Sequence, residues 1–190
     1  MKRSVMSWLR VGFPALVGLI SLDSVALAGD TYGHAATQAV AGPASKQFEI
    51  RFLEGMIDHH AMAVHMSQLL KAQAVHPELR ALGDSIVAGQ SAEIVQMQAW
   101  LKEWYGRAHE PSTKMAGMGM VEKMKGEAFE KKYLQMMIRH HTSAVRSGKE
   151  CERRAKHAEL HTLCHHITDS QQREIAIMKD WLCRWYKQCN

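Results

Sequence analysis

Paired imidazoles, a carboxylate and thioethers recur in this chain at one fixed spacing. His59-His60 stands within FLEGMIDHHAMAV, and 81 residues later His140-His141 stands within YLQMMIRHHTSAV. The same register lays Gln90 over Gln171, Glu93 over Glu174 and Met97 over Met178, and it ends with Trp104-Tyr105 over Trp185-Tyr186. Much of the intervening sequence differs between the copies, so polar and sulfur residues present in both mark the places to look for chemistry. Imidazole suits copper, zinc and nickel, and thioether sulfur prefers soft ions such as Cu(I). Met62 and Met66 follow His59 by about one and two turns on nearly the same face, and His65 adds an imidazole nearby. A structural use competes. A buried carboxylate costs several kcal/mol unless paired, and a histidine partner could simply fix helix register.

Further thioethers lie between the copies. Lys114 to Met124 reads KMAGMGMVEKM, placing Met115, Met118, Met120 and Met124 in a glycine-bearing stretch. Exposed methionines in such a loop would be soft-metal donors, whereas inward-facing ones would fill gaps at the bundle end.

Hydrophobic periodicity predicts the elements that must position these groups. Phe52, Met56, Ala63 and Leu70 form the stripe of a first helix over 46–75, and Pro77 opens a second helix over 77–105. A crossover over 106–120 precedes a third helix over 121–154 and a fourth over 157–186. No segment sustains a period of two. The expectation is an all-α, ferritin-like, up-down four-helix bundle made of two tandem hairpins, 46–105 and 121–187, in one domain over 46–190. Antiparallel pairing about the turn at Val75-His76 sets His59 and His60 beside Gln90 and Glu93. A turn near Lys156-His157 sets His140 and His141 beside Gln171 and Glu174. Both doublets should face the interior.

The first 28 residues read as a secretory signal peptide: Lys2, Arg3 and Arg10, an apolar stretch from Val11 to Ile20, then Ala26-Leu27-Ala28. An uncleaved anchor is the alternative. Residues 29–45 read as a flexible lead-in. Cleavage leaves 21 basic against 18 acidic residues, a net +3, with every one of the 12 histidines retained. That charge is ordinary for solubility and argues against a nucleic-acid partner. No later stretch is long and apolar enough to span a bilayer, so the expected location is the periplasm.

Cys151, Cys164, Cys183 and Cys189 all fall in the second copy. In an oxidising compartment they suggest disulfides, and hairpin geometry favours Cys151 with Cys164, leaving Cys183 for Cys189. The competing use is metal binding, because His157, His161, Cys164 and His165 share a helix face.

FLEGMIDHHAMAVHMSQLL, SAEIVQMQAWL, AGMGM, AFEKKYLQMMIRHHTSAV and EIAIMKDWL together resemble the ferritin-like proteins catalogued as domain of unknown function 305. The resemblance covers nearly all of the chain after the leader. It implies a four-helix bundle, export, and copper binding and tolerance through His and Met. Carried over residue by residue, it points to His59, His60, Met66, Met97, His140, His141 and Met178. Ser147 and Arg146 depart from the pattern where the first copy has Met66 and His65, so a complete second site is in doubt.

Di-iron oxidase chemistry is not expected. It needs inward Glu-x-x-His units, and Glu93 and Glu174 are followed at that spacing by Gln96 and Ile177. The candidate ligands are therefore His59, His60, Met62, His65, Met66, Met97, Met115, Met118, Met120, His140 and His141, and the candidate cargo is Cu(I) or Cu(II). The expected role is sequestration or handover of copper, without catalysis, the candidate partners being periplasmic copper-handling proteins. The alternatives are a metal-free scaffold or chaperone, or binding of zinc, nickel or silver.

Overall fold

The structure is a computed structural model and describes residues 42–113 and 118–189, the side chain of Met118 excepted. The expected signal peptide, nearly all of the lead-in, and Met115 lie outside the described residues. The helices are α1 (Pro43–Gln73), α2 (Pro77–Tyr105), a single-turn α3 (Met118–Val121) in the crossover, α4 (Gly126–Arg154) and α5 (Ala158–Tyr186). The four long ones form the bundle. Among the described residues no helix is long and apolar enough to cross a membrane.

Three boundaries differ from the sequence expectation, each for a local reason. Pro43 at N1 starts α1 three residues early, because a fixed φ and a missing N–H suit the first turn. α1 stops at Gln73 and not Val75, since the amides of Val75 and His76 are bound elsewhere, to Glu130 Oε1 at 2.7 Å each. The third helix is not continuous from Val121. Gly126 takes a left-handed φ of 64°, and Glu122 is held to α1 by His65 Nε2 at 2.9 Å and by Gln73 Nε2, which donates to its carbonyl at 2.6 Å. The crossover is also fastened at its other end. His109 Nε2 and the Ser112 amide both lie 2.9 Å from Asp58 Oδ1, and Arg107 pairs with Glu54.

The hairpins meet through α1 and α4, which pack antiparallel, with α2 flanking α1 and α5 flanking α4. Gly148 lets α5 approach α4 closely: a Cβ there would lie 2.6 Å from Thr168 Oγ1 and 3.2 Å from the Cys164 carbonyl. The apolar core falls into two halves. One holds Phe52, Leu53, Met56, Ile57, Met97, Leu101 and the second copy's turn-side residues Leu160 and Ile167. The other holds Met62, Met66, Leu70, Leu79, Phe129, Tyr133, Met137 and Met178. The histidine doublets lie along α1 and α4 between these halves. Disulfides join Cys151 to Cys164 and Cys183 to Cys189, as hairpin geometry favoured, so the competing use of Cys164 as a metal ligand falls away.

Each end of the bundle is closed by a buried carboxylate from the opposite copy. Glu49, fully buried in α1, accepts from the amides of Lys156 and His157 at 2.6 and 3.1 Å, from His157 Nδ1 at 2.8 Å, and from the Tyr105 hydroxyl. Glu130, equally buried in α4, accepts from Val75, His76 and Tyr186 in the same way. Trp104 stacks on His157 and Trp185 on His76, both at 3.9 Å and 4° between planes. Burial alone would raise both carboxyls; the donated hydrogen bonds outweigh it and hold them below the usual carboxylate range.

Candidate metal centre

The four repeated histidines converge where α1 crosses α4. His60 and His141 are fully buried, and His59 and His140 are half-buried with their rings stacked on each other, centroids 3.5 Å apart. Within each doublet the ring centroids are 6.3 Å (His59, His60) and 6.1 Å (His140, His141) apart, so the two copies share one geometry.

Hydrogen bonds orient three of these rings. His60 Nε2 lies 2.7 Å from Glu93 Oε2, and His141 Nε2 lies 2.7 Å from Glu174 Oε2. A neutral imidazole facing a carboxylate must put its proton on the nitrogen that faces it, so Nδ1 keeps the lone pair. His59 reaches the same state by another route. Its Nε2 is 2.8 Å from Ser143 Oγ, and that hydroxyl donates its own proton to the His140 carbonyl at 2.8 Å. Ser143 can then only accept, which makes His59 Nε2 the donor and leaves Nδ1 bare. All four Nδ1 atoms are buried without a hydrogen-bond partner among the described residues. Gln90 Oε1 and both amide atoms of Gln171 share that condition. Seven orphaned polar atoms on residues expected to form a single layer are far outside the usual practice of interiors, where buried polar groups are paired.

The electrostatics keep the stacked pair neutral. Burial, then repulsion from His60 and His141, lowers His59 to about 4 from 6.5. Burial, then His59, His141 and His60, lowers His140 to about 2. Neutral imidazoles with free lone pairs are what a metal ion requires. The arrangement of carboxylate, imidazole and open Nδ1 is the outer-shell pattern that fixes a ligand's tautomer and raises its basicity.

Thioethers border the layer unequally. Met56 and Met97 lie in one half of the core, and Met62, Met66, Met137 and Met178 lie in the other. Met56 and Met137 are a repeated pair one turn before the doublets, and they were readable at the same 81-residue spacing. His65 stands apart from the layer: its Nε2 is taken by Glu122. Met120 is 70% exposed, as expected for a solvated crossover. Among the described residues no three His, Cys, Asp or Glu side chains close on one point as a metal-holding set.

A family profile described as Domain of unknown function (DUF305) matches residues 49–182. Among solved structures the fold matches CopM in its Cu(I)-bound form, with a TM-score of 0.68 and 29% identity over 73% of this chain and 97% of that one. CopM has also been solved with Cu(II), with silver and in the apo form. A DUF305 fragment from Deinococcus radiodurans matches with a TM-score of 0.65 and 26% identity over 72% of this chain and 96% of that one. A DUF305 protein of Streptomyces coelicolor, for which secretion has been proposed, matches with a TM-score of 0.65 and 28% identity, over 72% and 91% of the two chains. No curated protein sequence matches the chain significantly.

Proposed function

We propose that this chain, which belongs to the DUF305 family, is an exported copper-binding protein whose cargo sits at the histidine layer between its two repeats. The carrying observation is the set of four buried Nδ1 atoms, on His59, His60, His140 and His141, that have no hydrogen-bond partner among the described residues. The copper- and silver-bound forms of CopM support a soft or borderline ion as cargo. The buried thioethers of Met62, Met66, Met97, Met137 and Met178 on both sides of the layer suit Cu(I). His59 and His140 come from different repeats yet stack directly, which favours one shared centre over one site per hairpin. The role is sequestration or handover of copper in the periplasm, without catalytic turnover.

The test is the double variant His60→Gln/His141→Gln, which keeps polarity and approximate size while removing two Nδ1 donors. Bound copper, measured by elemental analysis and chelator competition, should fall sharply while the apo-protein keeps its helicity. A metal-free scaffold predicts the reverse: copper content unchanged, and apo stability reduced because Glu93 and Glu174 lose their partners.

A further inference from the structure

A second group of potential ligands lies on the outer face of the second hairpin, away from the histidine layer. His161 and His165 are exposed and stand one turn apart on α5, the i, i+4 spacing that sets two imidazoles on one helix face. Asp169 extends that face by a further turn, its Oδ2 3.5 Å from His165 Nε2. Across the groove, on α4, Glu152 Oε2 lies 3.8 Å from His165 Nδ1. The other carboxylate oxygen, Glu152 Oε1, is buried and has no hydrogen-bond partner among the described residues.

Two features make this more than a chance gathering of surface charge. Glu152 and His165 each adjoin a half-cystine of the Cys151–Cys164 bridge, whose own Cα atoms are 5.9 Å apart. The bridge thus keeps the backbones that carry the carboxylate and the imidazole close together before any ion arrives. The first copy has neither the bridge nor the ligands: Lys71, Arg80, Asp84 and Ala88 stand where the second has Glu152, His161, His165 and Asp169. Ligands and staple occur together, in one copy only.

We propose that His161, His165 and Glu152, with Asp169 at the margin, form a separate surface site for a borderline divalent cation such as Zn(II), Ni(II) or Cu(II). Two imidazoles and a carboxylate suit these ions, and the absence of sulfur leaves no preference for Cu(I). In the rotamers seen, the side chains do not close on a single point. Both histidines are solvent-exposed, His165 by 58%, so closing requires only side-chain rotation. Glu152, 26% exposed, already faces His165.

The experiment uses the full chain and Zn(II), which is redox-inert, in calorimetric titration of the wild type, His161→Gln/His165→Gln and Glu152→Gln. The wild type should bind a Zn(II) equivalent that the double variant loses and the Glu152 variant holds more weakly. Cu(I) binding should be unchanged in both variants, which separates this site from the histidine layer. Equal Zn(II) binding by wild type and double variant would overturn the proposal. Should the variants misfold, Cu(II) paramagnetic broadening of wild-type amide resonances distinguishes the outcomes: loss centred on residues 158–169 supports the site, and loss confined to α1 and the middle of α4 overturns it.

Discussion

Glu49 and His157 lie 108 residues apart in sequence, in different repeats, and meet at 2.8 Å in a carboxylate–imidazole contact that closes one end of the bundle. Glu49 also satisfies two amides of the second hairpin's turn and is itself fully buried. Glu49→Ala should therefore cost about 3–5 kcal/mol, because it strands buried donors as well as breaking a buried pair. Glu130→Ala should cost about as much, since it opens the equivalent clamp on Val75 and His76. Urea denaturation of the apo-proteins measures both; a loss below about 1 kcal/mol would mean that the clamps are solvated.

Acid should weaken the apo-fold in two stages. His59 and His140 are lowered to about 4 and about 2 when folded, against 6.5 for the unfolded side chain. The unfolded chain then takes up protons first, so stability is full above about pH 6.5 and falls as pH drops from there. The Glu49 and Glu130 carboxyls lie below their usual 4.5 when folded, so their contribution is present above that pH and is lost as pH falls through the folded values. Both stages have the same sign. Urea midpoints should hold from about pH 8 to 6.5 and decline from there to about 4, and a flat profile from 6.5 to 5 would show that the stacked histidines are hydrated.

Glu93→Gln should weaken copper binding about 10–100-fold without removing a ligand, because the carboxylate fixes the His60 tautomer from behind. The apo-protein should keep its helices, Glu93 being partly exposed. Chelator competition checks this, and unchanged affinity would place His60 outside the coordination shell.

Gly106 and Lys187 occupy the same left-handed position at the ends of α2 and α5, with φ of 64° and 57°. Only glycine adopts that conformation freely. Lys187→Gly should stabilise the protein by about 1 kcal/mol and Gly106→Lys should destabilise it by a similar amount. Thermal melting of the two variants tests the pair, and shifts of the same direction in both would refute the argument.

What the sequence revealed was local to each hairpin. The doublets, their Glu93 and Glu174 partners and the Cys151–Cys164 bridge follow from a short turn, which fixes antiparallel register by simple counting. The long crossover fixes no such register between hairpins, so the stacking of His59 on His140 could not be counted out. The Glu49 and Glu130 clamps fall under the same limit, although Phe48-Glu49 and Phe129-Glu130, like His76 and His157, stand at the repeat spacing. His65 Nε2 is hydrogen-bonded to Glu122 of the crossover, a contact that counting along one hairpin could not supply either.

Interchanged clamps of this kind are isologous contacts: the carboxylate of copy one seals copy two, and the reverse holds with the same partners. The chain is thus built as a two-fold symmetric dimer whose protomers happen to be covalently joined. A lone hairpin would carry an unsealed turn and an exposed doublet, so its natural state is association with a second copy of itself. The crossover, fastened to α1 through Glu122 and Asp58, also raises the effective concentration of one half for the other. The stacked His59 and His140, equivalent residues of the two repeats, fall close to the pseudo-axis, so their contact exists only once the two halves have paired.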